Sequence, residues 1–486
     1  MPQPPLVTPS LTALASDLHA LRAALVAAAS RHAEDIARCP PPARPSARNL
    51  VHYLELRSHD LRALQERLAR AGLSSLGRCE AQVLASVDAV LSVLSLAVGT
   101  EPPPPDTASE LDFDDGERRL EASAYALLGP RPKRRRVRIM VTLASEAADD
   151  AESVRTLLSH GTDLVRINCA HDDAFAWERM IRHVRESAVA LDQPCVVTMD
   201  LEGPKVRTRE IAEPIALSKG DHLRLVRAPS GSGANVVVSI PGVLDDVKSG
   251  HAVWFDDGKI GGVVERVDEG GATVRITHAR GGKAELATDK GINFPDSTLH
   301  VDGFTGKDRA DLCFVSRHAD AVSLSFVQHR TDVRAISDCL NGAAEHMGLI
   351  LKIETRAGFE ALPRLLLDAL GKRPLGVMIA RGDLALEIGY ERLAEVQEEI
   401  LWICEAAHVP VIWATQVLER MAKDGVPTRA EVTDAAMAER AECVMLNKGK
   451  HVVDAVRALD DILCRMGGHQ HKKRATFRPL AVSRLP

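Results

Sequence analysis

The pattern of apolar and polar positions divides the chain in two. From residue 8 to about 98, apolar residues recur at three- and four-residue spacing, the signature of amphipathic helices. "TPSLTALASDLHALRAALVAAASRHAEDIA" (8–37) predicts the first helix, which "CPPPARPSA" (39–47) ends. A second is predicted over roughly 46–71 and a third over 77–98, before the Pro-rich linker "TEPPPPDTASE" (100–110). Residues 1–130 are therefore expected to form a helical N-terminal module separate from the rest of the chain. Beyond it, short β-branched runs recur, most of them separated by helical patterns. They are "RIMVTL" (138–143), "DLVRIN" (163–168), "PCVVTMD" (194–200), "DAVSLSF" (320–326), "LILKIE" (349–354), "GVMIAR" (376–381), "PVIWAT" (410–415) and "CVMLN" (443–447). Eight strands alternating with helices predict an α/β fold, a closed (β/α)8 TIM barrel over 131–205 and 295–470. One gap is too long for a βα unit. Its alternating strands and its turns "PSGSGAN", "FDDGK" and "DEGGA" predict a small β domain, 206–294, inserted after the third strand. "GSG" reads there as hairpin chemistry and not as a phosphate loop. Residues 471–486 form a tail.

In such a barrel the working residues sit at the C-terminal ends of the strands. Arg166, Asn168 and His171 follow the second strand; Asp200 and Arg207 follow the third; Ser325 ends the fourth. Lys352 and Glu354 end the fifth, Arg381 and Asp383 the sixth, Thr415 and Gln416 the seventh. Period-two alternation sends Lys352 and Glu354 to one face. They form either a mutual ion pair at the rim or part of a phosphoryl-transfer site. In the second reading Glu354 and Asp383 supply two hard oxygen ligands for Mg²⁺, and Lys352 and Arg166 supply positive charge for a phosphoryl group. Gly382-Asp383-Leu384 opens a helical segment whose free backbone N–H groups suit a carboxylate.

Composition narrows the setting. The net charge of −6 and 26% charged residues argue against bulk nucleic-acid or membrane affinity. Nine cysteines without a C-x-x-C pair fit a reduced, cytoplasmic compartment, and no signal peptide is read. "AQVLASVDAVLSVLSLAVG" (81–99), with Asp88 and three serines, is expected to be a buried helix and not a membrane span. "KRRRVR" (133–138) is expected to be a solvated lead-in to the first strand.

The strand-end motifs together resemble the pyruvate kinase family. "VRINCAH" is similar to its Arg-Leu-Asn-Phe-Ser-His, and "MDLEGPKVRTR" to its Asp-Thr-Lys-Gly-Pro-Glu-Ile-Arg. "FDDGKI", "DKGINFP", "VSLSFVQ", "LKIE", "MIARGDLALEI", "PVIWATQVLERM" and "PTRAEVTDAAMA" come after them in family order over about 137–447. The resemblance implies phosphoryl transfer from phosphoenolpyruvate to ADP, with Mg²⁺ or Mn²⁺ as cofactor and assembly as a homo-oligomer. It implies Lys352, Arg166 and Thr415 as catalytic residues, and Ser325, Gly382, Asp383 and Thr415 as substrate contacts. Glu354 and Asp383 match the metal ligands. Asn168, His171, Arg207 and Lys290 match the nucleotide side, Lys290 reaching down from the inserted domain. The departures are equally specific. Ala144 and Ser145 stand in place of a Gly-Pro turn, and Leu351 in place of a serine. "NKGKHVV" replaces a longer loop after the eighth strand. Fewer than 40 residues come after that strand, so the family's domain for sugar-phosphate effectors is expected to be missing. Two other readings stay open: a non-catalytic binder of phosphoenolpyruvate or nucleotide, and a barrel enzyme using the same metal–enolate site on another substrate. Lys205 stands where many family members carry a glutamate beside a K⁺ ion; relatives with lysine there dispense with K⁺. A tethered ammonium supplies the same charge, and Ala170 lacks the hydroxyl of the K⁺ site. Turnover without K⁺ is therefore expected.

Overall fold

The computed structural model describes residues 10–102, 111–229, 235–340 and 346–476. Most of the Pro-rich stretch read as a linker, the Gly-Ser core of "PSGSGAN" and the end of the tail lie outside them. Among the described residues six N-terminal α-helices come first: α1 (Leu11–Arg31), α2 (Ala33–Arg38), α3 (Arg44–Arg57), α4 (Arg62–Arg70), α5 (Val83–Val98) and α6 (Asp115–Leu128). The helices read as continuous over 8–37 and 46–71 are each broken, at His32 and over 58–61. Apolar periodicity carries on across these short breaks and hides them. By length and composition Leu11–Arg31 and Glu80–Val98 are apolar enough to cross a membrane. Both pack in the structure, with Leu18, Leu25, Leu84, Val87 and Leu91 buried in one core.

Eight parallel strands close the barrel: β1 (Arg138–Thr142), β2 (Leu164–Asn168), β3 (Val196–Asp200), β4 (Ala321–Leu324), β5 (Gly348–Ile353), β6 (Leu375–Ala380), β7 (Val411–Ala414) and β8 (Cys443–Leu446). Each pairs with its sequence neighbours, and β1 pairs with β8. This is the (β/α)8 barrel that the eight runs predict. Its N-terminal mouth is sealed by α6, which no predicted helix covers. Ala124, Leu127 and Leu128 pack on Met140, Leu164, Ile350, Met378 and Ile412. Leu127 reaches between Gly348 and Gly376, where an added Cβ would overlap it.

The N-terminal helices do not stand apart from the barrel. They share one apolar core with the barrel helices Arg356–Ala369 and Leu393–Ala406. Buried Asn49 donates to the carbonyls of Glu80 (2.7 Å) and Ala406 (2.9 Å) and accepts from Val83 N. His408, its pKa pushed down to about 4 by burial, sits 2.8 Å from Ser46 Oγ and 2.7 Å from Ala81 O. The "KRRRVR" run also differs from expectation, since Arg135 and Arg138 are buried. Arg135 is neutralised by Asp163 (2.6 Å) and Asp460 (2.8 Å), and Arg138 by Glu121 (3.0 Å).

The inserted domain builds a seven-stranded sheet and an apolar core of its own, including Leu223, Val236, Phe255 and Val274. "FDDGK" and "DEGGA" turn antiparallel hairpins, as their composition predicts. The strands flanking "PSGSGAN", His222–Val226 and Asn235–Val238, run parallel instead, so they do not form the hairpin expected from Gly-Ser composition.

Candidate functional site

A cleft of about 660 Å³ opens at the C-terminal end of the barrel, under the inserted domain. Its wall includes Arg166, Asn168, His171, Lys205, Arg207, Ser325, Lys352, Glu354, Gly382, Asp383 and Thr415. Asp200 and Lys290 are the exceptions among the strand-end and site residues read from the sequence: Asp200 is fully buried behind the wall. Lys290 lies on the inserted domain, 3.4 Å from Asp256 Oδ1, and does not line the cleft.

The centre of the cleft is a buried ionic network. Lys352 Nζ, reaching from β5, donates to Ser325 Oγ at 2.8 Å and stands 3.3 Å from both Asp200 Oδ2 and Glu354 Oε1. Arg166, on β2, donates Nε to Asp200 Oδ2 at 2.6 Å and Nη1 to Thr142 Oγ1 at 3.1 Å. Asp200 is fully buried, which works against its charge. Arg166 and Lys352 overcome that cost and hold its carboxyl below the usual range. Glu354 goes the other way: burial pushes its carboxyl up, with the charge of Asp383 adding to burial and Lys352 opposing it. Ser325 in turn donates to Leu201 O at 2.7 Å, and the Phe326 N–H donates to Glu354 Oε2 at 2.5 Å.

The strand ends are bent into place at a cost. Phe326 (φ 54°), Thr415 (φ 69°) and Gln416 (φ 59°) take left-handed conformations that L-residues avoid, about 1–3 kcal/mol each. Arg381 holds the second bend. Its guanidinium donates to Ala414 O (2.7 Å), Thr415 O and Asp434 (2.8 Å), and lies 4.9 Å over the Trp413 ring. It is thus committed to fixing the Thr415 turn. On the other side, Asn168 Oδ1 accepts from Ala170 N at 3.2 Å, and Arg207 pairs with Glu202 at 3.4 Å. Lys205 Nζ lies 3.0 Å from Asp383 Oδ1. Burial opposes its charge, but Asp383 and Asp257 overcome this and raise its pKa above the ordinary lysine value.

Among the described residues, no cluster of three or more His, Cys, Asp or Glu side chains has metal-holding geometry. The acidic pair available is Glu354 with Asp383. The charge of Asp383 adds to the cost of charging buried Glu354, so a divalent cation held between them would offset that cost. Two carboxylates leave the remaining positions of a Mg²⁺ ion to water and substrate, so the donor set fits one. Sequence reading missed the groups that brace these residues: Asp434 behind Arg381, Asn293 and Glu387 beside Asp383, and Asp257 near Lys205. All four lie in stretches quoted above, "FDDGKI", "DKGINFP", "MIARGDLALEI" and "PTRAEVTDAAMA", but no local spacing assigns them these roles, because the contacts they make join segments far apart in the chain.

The architecture defines a class: a (β/α)8-barrel protein with a β domain inserted after its third strand and a charged cleft between the two. The family described as "Pyruvate kinase, barrel domain" matches residues 134–456. "Pyruvate kinase 2" of Synechocystis sp. is 34% identical over 349 residues, covering 69% of this chain and 57% of its own. The pyruvate kinases of Geobacillus stearothermophilus (32% over 342 residues, 68% and 57%) and Methylorubrum extorquens (34% over 337 residues, 68% of each) are similar as well. The chain belongs to the pyruvate kinase family. The match spans about 57% of the length of the first two of these relatives.

Proposed function

We propose that the protein transfers a phosphoryl group from phosphoenolpyruvate to ADP, giving pyruvate and ATP. The observation that carries this reading is Lys352, a buried ammonium at the cleft centre held by Ser325, Asp200 and Glu354. Its charge is fixed in advance where a phosphoryl group in flight needs it. Arg166, oriented by Asp200 and Thr142, supplies the second cation on the phosphate. The backbone N–H groups at Gly382 and Asp383 open the helix Arg381–Ile388 and take the substrate carboxylate. Thr415, set by Arg381, stands near the enolate carbon that takes up a proton after the oxygen–phosphorus bond breaks. Asn168, His171, Arg207 and Lys290 serve the nucleotide, Lys290 after movement of the inserted domain. Glu354 and Asp383 would hold Mg²⁺ or Mn²⁺; when bound, such an ion polarises the oxygens of the transferring group. Lys205 takes the place of K⁺, and its pairing with Asp383 supports that role. A reduced cytoplasmic setting accompanies this reading, and all nine cysteines are free thiols.

The test is a lactate-dehydrogenase-coupled assay of wild type and Lys352→Met with Mg²⁺ or Mn²⁺, with and without K⁺. Pyruvate release by wild type and its loss in the variant are expected. Folded wild type that releases none, or a variant as active as wild type, overturns the assignment. One observation favours the non-catalytic reading. Ser145 Oγ donates to Asp172 Oδ2 at 3.0 Å and ties the altered loop after β1 to the loop of His171. Substrate binding by calorimetry without turnover is that reading's signature. Turnover of a different acid or phosphoacceptor is the signature of a related enolate-forming enzyme.

A further inference from the structure

Two chain crossings join the inserted domain to the barrel, and both reach Asp383. The outgoing crossing carries Lys205, whose Nζ lies 3.0 Å from Asp383 Oδ1. The returning crossing carries Asn293, whose Nδ2 donates to Asp383 Oδ1 at 3.3 Å and lies 3.5 Å from Glu387 Oε1. The crossings are bonded to each other: Thr208 N donates to Lys290 O and Ile292 N to Val206 O, each at 2.8 Å. Asn293 is 6% exposed, and Ile292–Asn293 pairs antiparallel with Ala252–Phe255. The backbone of Asn293 therefore moves with the inserted sheet, while its side chain is bonded to the barrel.

The chemistry of the contact is specific. Asp383 and Glu387 are four residues apart on one helix, so their carboxylates share a face and repel if both are charged. Asn293 offers a neutral amide donor that reaches both. A neutral donor fixes the orientation of a carboxylate without competing for its charge, which is what a ligand to a hard cation requires. A lysine alone at that place would hold the carboxylate by opposing any cation that approaches it.

We propose that Asn293 is a positioning residue for divalent-cation binding: it sets the Asp383 carboxylate and makes its affinity for the cation depend on where the inserted domain sits. The inference rests on the reading of Asp383 as a metal ligand. Coupling of this kind is reciprocal, so a bound cation also steadies the hinge. A lid that must be in place before the cation binds tightly would keep the site from acting while open.

The experiment is a Mn²⁺ titration of the full chain without substrate, with free Mn²⁺ read by electron paramagnetic resonance. In Asn293→Leu, close in size but without the donor, the Mn²⁺ dissociation constant should rise about tenfold, the usual scale for losing a group that orients a metal ligand. Asn293→Gln, which keeps the donor, should recover part of that loss. Hydrogen exchange across the paired crossings, read by mass spectrometry, should slow on adding Mg²⁺ to wild type but not to Asn293→Leu. Unchanged Mn²⁺ affinity in a variant that melts as wild type does, or equal slowing of exchange in both, overturns the proposal. If Asn293→Leu melts early, Asn293→Ala removes the same amide without the branched bulk and carries the same test. Wild type that binds no Mn²⁺ overturns the metal assignment and this inference together. Wild type that binds Mn²⁺ with an affinity that depends on Asn293 but turns over no phosphoenolpyruvate leaves the inference standing and removes only the assigned reaction.

Discussion

Reversing the charge of Lys205 tests how the cleft supplies monovalent positive charge. Its ammonium stands 3.0 Å from Asp383, with only 20% of the side chain exposed. The stem passes over Gly291, where a Cβ would come within 2.8 Å of Lys205 Cε. Two unit charges at that separation attract by about 5.5 kcal/mol at an effective dielectric constant of about 20, before desolvation is counted. Removing one partner of a buried pair costs about 3–5 kcal/mol net. Lys205→Glu also places a second carboxylate against Asp383. If about 3 kcal/mol of this falls on the transition state, kcat/KM drops about a hundredfold. In the coupled assay wild type should turn over at the same rate with and without K⁺. Lys205→Glu should be crippled in both conditions, because Ala170 supplies no hydroxyl to complete an ion site. Lys205→Glu with Ala170→Ser should regain activity only when K⁺ is present. Strict K⁺ dependence of the wild type, or a Lys205→Glu variant that works without K⁺, would refute the reasoning.

Two further predictions concern the scaffold. Leu127→Ala should cost about 2–5 kcal/mol as a buried large-to-small change, and Gly376→Ala about 1–3 kcal/mol by overpacking against Leu127. Because Leu127→Ala makes room for the methyl that Gly376→Ala adds, and that methyl fills part of the cavity, the double variant should cost less than the sum by about 1–2 kcal/mol in thermal melts; strictly additive costs would show that Leu127 is not keyed between the strands. Burial also pushes the Glu439 carboxyl from its ordinary 4.5 up to about 7. The folded chain therefore keeps a proton that the unfolded chain has released. That stabilisation is full below pH 4.5 and is lost as pH rises through 7. Glu439→Gln, neutral at every pH, should gain melting temperature relative to wild type as pH is raised from 5 to 8, and a flat difference would count against the assignment.

The eight barrel strands were legible because each is a short β-branched run ending in polar residues, and the rim charges came from the rule that barrels work at their C-terminal ends. Lys352 and Glu354 could be placed on one face by alternation alone. Other features were not local enough to read. The apolar stripe of α6, Leu120, Ala124, Leu127 and Leu128, is short and begins among charges, so periodicity alone assigns it no helix, and its role comes from the barrel mouth that it covers. A run such as "KRRRVR" is ordinarily solvated. Arg135 is buried because Asp460 reaches it from a distant helix, and no spacing rule reports that. Arg381 reads as a rim cation, yet Asp434 and two carbonyls turn it into a brace for the Thr415 bend. Asn293 has the same invisibility: its importance lies in Asp383, which is remote in sequence.

The N-terminal helices belong to the mechanics of the site through the elements they touch. The helix Arg356–Ala369 leaves directly from the segment that carries Lys352 and Glu354, and Arg381–Ile388, which carries Asp383, runs on into Leu393–Ala406. Within the core that α1, α3 and α5 share with the barrel, these two outer helices pack on the N-terminal layer, Arg356–Ala369 on α2 and Leu393–Ala406 on α3. Asn49 bonds one of them through Ala406 O, and the C-terminal segment adds ionic ties through Lys473 to Glu80 and through buried Lys472 to Glu442. Packed interiors transmit displacement because they have little free volume to absorb it. The helical layer thus backs the helices that come after Lys352, Glu354 and Asp383 in the chain, and the inserted domain contacts Asp383 through Asn293. The cleft is flanked on two sides by parts of the chain outside the barrel, while its central ions are held by barrel groups, Ser325, Thr142 and the Phe326 N–H among them.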